Sequence, residues 1–169
     1  MRLKYDISHL AGKGLRDYLM QTLKHIRKDI HIDKMLLFHH ALFDGNELVT
    51  HNLPDGFQKK EGTIRYRQSL IRIPANIELP VYETEEFNAK KPPRGLVTIP
   101  TIVVCHFDEL SMLELKLDGF KSHDEALECM RQYYPDLQKD SIVSFYYFGG
   151  YTPKPSKRTL DLVLKQISS

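Results

Sequence analysis

Residues 103–148 decide the fold of this chain, and they read VVCHFDELSMLELKLDGFKSHDEALECMRQYYPDLQKDSIVSFYYF. The apolar run at the start and the aromatic, apolar run at the end are typical of buried strands. Between them, Ser122 is followed three residues later by Glu125, a capping-box pattern that satisfies the free amides at a helix start. The stretch therefore predicts a strand, a capped helix from Ser122 to Tyr134, and a second strand.

The predicted helix has a buried face and a stop. Pro135 ends it, since proline disfavours helical backbone in the residue before it. Just ahead of the cap, Gly119 can adopt backbone conformations closed to other residues, which would let Asp118 point across the sheet. An ordinary loop-to-helix turn at these two residues is the alternative. Three- and four-residue spacing of apolar positions predicts one buried stripe, made of Ala126, Leu127, Met130, Tyr133 and Tyr134.

The order of these motifs resembles the ASCH family. The shared pattern is an apolar strand, Phe-Asp-Glu-Leu, then Asp-Gly-Phe-x-Ser-x-x-Glu opening a helix that ends in Tyr-Pro, then a strand ending in aromatic-Phe. ASCH domains are a branch of the PUA-like β-barrels, whose members bind RNA or modified nucleosides. The resemblance spans about residues 59–148 and implies an α+β fold, a small mixed PUA-like barrel with helices packed outside.

The rest of the chain adds elements at both ends of this barrel. Apolar spacing predicts a helix over residues 15–30, and residues 35–43 are typical of a buried strand followed by a turn at Asp44-Gly45. A linker is predicted over 151–155, and Ser156 caps a final helix. We therefore divide the chain into an N-terminal helix and hairpin extension (1–55), the ASCH/PUA-like barrel (56–150) and a C-terminal helix (151–169), together forming one compact unit.

Composition fits a single globular domain. The chain has 169 residues, of which 41% are hydrophobic and 27% charged, ordinary values for a soluble protein. No apolar run approaches the roughly 20 residues that span a bilayer, so we expect a cytoplasmic protein without membrane contact. Net charge is +2 overall, but residues 1–72 carry 13 basic against 8 acidic side chains, which favours that half as the face for an anionic partner.

The resemblance also implies a chemistry. A small subgroup of ASCH-like proteins hydrolyses the acetyl amide of N4-acetylcytidine with a lysine, a threonine and a glutamate. In this chain the lysine matches Lys60, the threonine Thr63, the family's arginine Arg65, and the glutamate's position falls at Asp118. The chain departs from the family pattern in three ways: Glu61 replaces a threonine, Gly62 interrupts an apolar position, and Asp118 is one methylene shorter than glutamate.

Amide hydrolysis gives these residue types a rationale. The reaction needs a nucleophile, a group that accepts its proton and a group that protonates the leaving amine, and threonine, lysine and a carboxylic acid can fill these roles. The alternative is that Lys60, Thr63 and Arg65 are only the solvated basic end of a strand, because Lys-x-x-Thr-x-Arg is common in strands by chance.

The same region predicts a nucleic-acid interface, which we take as the leading function, with the amidohydrolase as the alternative and a protein-interaction domain third. Tyr66 and Tyr82 are candidates for base stacking, as is Phe87, unless they are simply core or edge aromatics. RNA or a modified nucleoside is the expected partner. The basic residues that would line one cleft are Lys59, Lys60, Arg65, Arg67, Lys90, Lys91 and Arg94.

Other chemistry finds little support in the sequence. There is no glycine-rich phosphate loop, no Cys-x-x-Cys and no His-Glu-x-x-His. His39 and His40 fall inside the predicted strand 35–43, where neighbouring side chains face opposite sides, so they are not expected to share a metal ion. The sequence therefore predicts neither a metal site nor a cofactor.

Overall fold

The computed structural model describes residues 1–50, 58–87 and 90–169. Within these ranges the chain is a mixture of helices and strands, which confirms the α+β class. The helices are α1 (Gly12–Leu23), α2 (Met112–Asp118), α3 (His123–Met130) and α4 (Lys157–Ser168). The strands are β1 (Arg2–Asp6), β2 (Asp29–Asp33), β3 (Leu36–Phe38), β4 (Phe43–Asp44), β5 (Glu47–Leu48), β6 (Gly62–Arg65), β7 (Leu70–Pro74), β8 (Glu78–Glu83), β9 (Gly95–Thr98), β10 (Thr101–His106), β11 (Ile142–Tyr147) and β12 (Gly150–Pro153).

The strands form two four-stranded sheets and two smaller pairs. The first sheet has the order β1-β10-β11-β6 and is antiparallel throughout. The second has the order β12-β9-β8-β3, with β3 parallel to β8. A parallel pair β2-β7 and a hairpin β4-β5 complete the set. In the described part of the chain, no pairing closes these sheets into a barrel.

The N-terminal residues are interleaved with the later strands. β1 was not predicted, and it pairs with β10 so that Tyr5 lies opposite Ile102. The predicted helix over 15–30 is wrong in its second half: α1 ends at Leu23, a 3-10 turn follows, and Arg27 takes a left-handed conformation before β2. The predicted domain boundary at residues 55–56 lies outside the described residues.

The first sheet carries a hydrophobic core on each face. Along β10, Ile102 and Val104 pack into the core shared with α1, α4 and the second sheet, whereas Val103 and Cys105 pack into the core under α2 and α3. This alternation follows from the two-residue side-chain period of a strand. The first sheet is therefore the central layer of the protein.

A local capping signal determines where α3 begins. The Ser122 hydroxyl accepts a hydrogen bond from the Glu125 amide at 3.1 Å, which confirms the predicted cap of α3. The reciprocal half of the box is absent, because the Glu125 carboxylate accepts from the Lys121 amide instead. The helix ends at Met130 rather than reaching Tyr134, and Tyr133 is 67% exposed. The predicted buried stripe is therefore wrong at Tyr133, whereas Tyr134 packs against the core under α2 and α3 as predicted.

Two further predictions need correction. The strand predicted over 35–43 is broken, since β3 ends at Phe38 and His39 starts a 3-10 turn that leads into β4. The linker predicted over 151–155 is mostly β12, which pairs with β9. The cap at Ser156 is confirmed by its hydrogen bond from the Thr159 amide. Among the helices in the described ranges, none has the length and apolar character that a bilayer crossing requires.

Candidate functional site

A cavity of about 1150 Å³ lies where the edge strand β6 meets the α2–α3 corner and the segment 31–42. Its wall includes Lys60, Thr63, Arg65 and Asp118, so the four residues that the family resemblance singled out share one space. All four side chains are at least nine-tenths buried. The cavity is therefore the candidate functional site.

Lys60 and Asp118 form an ion pair within the cavity wall. The ammonium of Lys60 donates to Oδ1 of Asp118, and it also lies 3.4 Å from the Asp118 carbonyl oxygen. The second carboxylate oxygen of Asp118 accepts from the Ile64 amide at 3.0 Å. The shorter aspartate therefore reaches the lysine without the extra methylene of the family's glutamate.

The position of Asp118 follows from where α2 starts and ends. Ser111 and Glu114 form a reciprocal capping box that begins the helix. Gly119 ends it with a φ of +99°, and a Cβ built there would lie 2.6 Å from the Thr50 Cβ. The predicted special conformation of Gly119 is confirmed, and it makes Asp118 the last helical residue. The negative end of the helix dipole lies beside Asp118, so the Lys60 ammonium stabilises both charges.

Backbone contacts hold the strand side of the site. The Lys60 amide donates to the Leu48 carbonyl at 2.9 Å, and the Glu61 amide donates to the Leu117 carbonyl at 3.2 Å. Gly62 is required by packing, because a Cβ built there would lie 2.3 Å from the Phe145 ring. This close approach is the physical reason for the glycine that departs from the family pattern.

Thr63 and Arg65 face the same cavity two residues apart on β6. No residue in the described ranges hydrogen-bonds the Thr63 hydroxyl, and the Thr63 side chain forms part of the cavity wall. The Arg65 guanidinium stacks 4.7 Å from the Phe38 ring centroid, and the Lys60 ammonium lies 5.4 Å from the same ring. The Phe38 ring therefore makes cation–π contacts with both side chains.

Arg65 is the unusual group of the site. It is 9% exposed, and its Nε and Nη2 atoms are buried without a hydrogen-bond partner among residues 1–50, 58–87 and 90–169. Burial, followed by repulsion from Arg72, lowers the pKa of Arg65. Native proteins rarely leave a buried charged donor unsatisfied, so this guanidinium is unusual for its depth.

A second ion pair lines the cavity and was missed by sequence reasoning. Arg72 donates through Nε and Nη2 to the carboxylate of Asp33, the shorter contact being 2.6 Å, and the Tyr146 hydroxyl donates to the same carboxylate at 2.7 Å. Asp33 ends β2, and on β7 Arg72 lies opposite His31, two residues before Asp33 on the same face, so only the strand pairing brings them together. The sequence carried no local signal of this contact.

The remaining predicted nucleic-acid residues lie away from the cavity wall. Arg67 is exposed and contacts His31 Nδ1 at 2.9 Å, and Arg94 pairs with Glu83 at 2.8 Å. Of the seven basic residues proposed for one cleft, two line the cavity, Lys60 and Arg65. The exposed ones outside it are Lys59, Arg67, Lys90, Lys91 and Arg94.

The two predicted stacking residues are engaged elsewhere. Tyr66 is buried, donates its hydroxyl to Asp136 at 2.5 Å and meets Tyr134 edge to face. Tyr82 meets Phe87 edge to face. The aromatic groups that do line the cavity are Phe38, Phe120, Tyr133 and Tyr134.

His39 and His40 lie much closer together than the predicted strand allowed. Their rings are 4.1 Å apart because the chain turns there, and both contact Oε1 of Glu85, at 2.9 and 3.3 Å. The three ligand atoms are close enough to hold a metal ion. However, the Ala41 amide donates to His39 Nδ1, which places the proton of a neutral ring on Nε2, the atom that would have to bind the metal. The observed contacts are those of hydrogen bonds.

Comparison of the chain with protein-family models, with curated proteins and with solved structures gave no match.

Proposed function

We propose that this protein hydrolyses the amide of an N-acylated, cytidine-type nucleoside in the cavity at β6. The observation that supports it best is the convergence of Lys60 and Asp118 in one buried pair, with Thr63 in the same cavity wall. The fold would then be a variant of the PUA-like barrel of ASCH domains, with the N-terminal strands β1, β2 and β3 added to its sheets.

The ion pair is already arranged for proton transfer. In the proposed reaction, transfer of one proton from Lys60 Nζ to Asp118 Oδ1 gives a neutral amine and a carboxylic acid, without changing the net charge of the site. The amine then accepts the Thr63 proton as its oxygen attacks the amide carbon, and Asp118 protonates the departing amine. Water hydrolyses the resulting ester and returns Thr63 to its starting state. The chain itself can thus supply the nucleophile, the base and the acid.

Cavity size and lining favour a nucleoside-sized ligand. Ligand pockets commonly measure about 300–1,000 Å³, and this cavity is slightly larger. Tyr133 and Phe120 offer faces for stacking a base, and Tyr133 is the more exposed of the two. Among the described residues, the charged lining of the cavity is balanced, with the cations Lys34, Lys60, Arg65 and Arg72 against Asp33, Asp118, Glu125 and Glu128. A balanced lining suits one nucleoside better than a run of phosphates.

Binding of RNA or a modified nucleoside without chemistry is the second candidate. It is favoured by the exposed cations outside the cavity, among them Lys59, Arg67 and Lys91, which remain available for phosphates. If it holds, Lys59→Ala with Arg67→Ala lowers the salt slope of RNA affinity by roughly 0.7 for each lost contact. An unchanged slope would remove this candidate.

The test of the hydrolase is cytidine release from N4-acetylcytidine, followed by chromatography. Thr63→Val removes the hydroxyl at nearly constant volume, and Asp118→Asn removes the acid; each is expected to abolish most turnover, with the double variant losing little more. Thr152→Val, an exposed threonine on β12, is the matched control and is expected to retain full activity. Wild-type protein that yields no cytidine above the buffer blank would contradict the proposal.

A further inference from the structure

The buried charges of the cavity wall do not balance. Five of them have side chains no more than 14% exposed: the cations Lys60, Arg65 and Arg72 and the anions Asp33 and Asp118. Lys60 pairs with Asp118, and Arg72 pairs with Asp33. Within this group of five, Arg65 is the cation left over, so the group carries one surplus positive charge. The more exposed charges of the lining, Lys34, Glu125 and Glu128, balance it only when the whole cavity is considered.

The geometry of that charge indicates what it can bind. Nε and Nη2 of Arg65, the two atoms without partners, are adjacent nitrogens on one edge of the guanidinium. This edge presents two parallel N–H groups, which match the two oxygens of a carboxylate. Phe38 covers one face of the guanidinium and restricts how the group can turn. The site is therefore a preformed fork rather than a mobile surface arginine.

We infer that Arg65 binds a carboxylate on the acyl part of the substrate, which makes the substrate the amide of a short dicarboxylic acid. This inference rests on the proposed hydrolysis, since it names the acyl group that the same site would remove. A single negative charge cancels the surplus within this group of five. A neutral acyl group would leave the cation uncompensated, and a phosphate dianion would leave an excess of negative charge.

The strand sets the length of the acyl chain. Thr63 and Arg65 are two residues apart on one face of β6, which separates their side chains by about 6.6 Å. With Thr63 at the amide carbon and Arg65 at the carboxylate, the acyl group needs a few intervening carbons, as in a succinyl or glutaryl chain. Hydrolysis breaks the bond from the acyl carbon to N4 of the base, and water supplies the oxygen of the released dicarboxylate and the proton of the amine.

The experiment compares N4-glutarylcytidine with N4-acetylcytidine as substrates. Wild-type protein is expected to prefer the glutaryl compound by about 10- to 100-fold in kcat/KM, the range for charge-assisted hydrogen bonds. Arg65→Met should abolish that preference, and Arg65→Lys should keep part of it, because the charge remains without the fork. Arg158→Met, which removes an exposed guanidinium from α4, is the matched control. A preference for the acetyl compound, or an equal preference in wild type and Arg65→Met, would overturn the inference.

A binding measurement separates this inference from the proposed reaction. Monomethyl glutarate carries one carboxylate and dimethyl glutarate none, and their binding to the protein can be compared by calorimetry. We expect wild type to bind the monoanion at least tenfold more tightly than the diester, and Arg65→Met to bind the two alike. If this holds but neither nucleoside is hydrolysed, the anion site stands and the hydrolase falls. If cytidine is released but the monoanion is not preferred, the hydrolase stands and the anion site falls.

Loss of folding is not expected to obscure the result, because Arg65→Met removes a buried cation whose Nε and Nη2 have no hydrogen-bond partner in the described ranges, and methionine can keep an apolar contact with Phe38. Its thermal midpoint is expected to equal or exceed that of wild type in the absence of ligand. If the midpoint falls sharply instead, Arg65 is held by the protein itself, and the inference is wrong.

Discussion

Breaking the Lys60–Asp118 pair from one side is expected to destabilise the protein strongly. In Asp118→Asn, the Lys60 ammonium keeps its charge but loses its counter-ion, while only 4% of its side chain reaches solvent. Removing one partner of a buried ion pair costs about 3–5 kcal/mol. Because the pair borders a cavity, we expect the lower end, about 3 kcal/mol. At about 2–4 °C per kcal/mol for a chain of this length, the thermal midpoint should fall by about 6–12 °C.

The double variant tests whether the two groups act as a pair. Lys60→Met leaves the Asp118 carboxylate with the Ile64 amide as its remaining partner, so this single change should also be costly. Lys60→Met with Asp118→Asn leaves no unpaired charge, so its loss should be smaller than the sum of the two by about 2 kcal/mol. Urea unfolding followed by circular dichroism gives all three values.

The control for this cycle is an exposed ion pair. Asp124 lies 3.6 Å from Lys139, with both side chains mostly in solvent. Asp124→Asn should therefore change the unfolding free energy by less than about 0.5 kcal/mol. Additive single changes at Lys60 and Asp118, or losses no larger than that of the control, would refute the argument that the pair is buried and coupled.

Three further changes test the frame around the site. Ser122→Ala should cost about 1 kcal/mol in urea unfolding through the lost cap of α3; no change would mean that the cap contributes nothing. Gly119→Ala should cost about 1–3 kcal/mol, from its positive φ and its contact with Thr50, and lower turnover by displacing the neighbouring carboxylate; unchanged activity would contradict this. Burial would raise the pKa of Glu114, but hydrogen bonds, chiefly from Arg2, lower it overall. The Glu114 carboxylate therefore stabilises the fold above its usual pKa of 4.5, and this contribution is lost as the pH falls below that value. Glu114→Gln should flatten the acid side of the plot of stability against pH, and an unchanged plot would refute the assignment.

Signals confined to a few residues predicted local structure well. The caps at Ser122 and Ser156 and the special backbone of Gly119 are all confirmed, because each depends on one side chain or one missing Cβ. α2 was missed although Ser111 and Glu114 form a complete capping box, since a helix of 7 residues shows too little periodicity to be recognised. A search for capping boxes independent of periodicity would have found it.

Elements stabilised by distant partners were the ones that sequence reasoning missed. β1 is 5 residues long, and it pairs with β10 about a hundred positions later in the chain. Its alternation of Leu3 and Tyr5 with charged residues is too short to distinguish a strand from a loop. Sequence reasoning also missed the turn at His39. β-propensity alone predicted that the strand would continue through this residue.

The candidate site depends on local sequence signals and on contacts between distant segments. Only the part that depends on local signals was predictable. Local rules define where each member stands: the capping box and Gly119 make Asp118 the last residue of α2, and the two-residue period of β6 puts Thr63 and Arg65 on one face. The two segments are brought together by the packing of α2 on β6. The Glu61 amide, just before β6, donates a hydrogen bond to the Leu117 carbonyl of α2, and no local sequence pattern predicts this contact. The resemblance to a family supplied Lys60, Thr63 and Asp118 as a set, but it did not indicate that Arg65 would lack a partner. The missing partner of Arg65 becomes visible only when each buried charge in the wall is paired with the residue it contacts. It is this missing partner that restricts the choice of ligand to an anion.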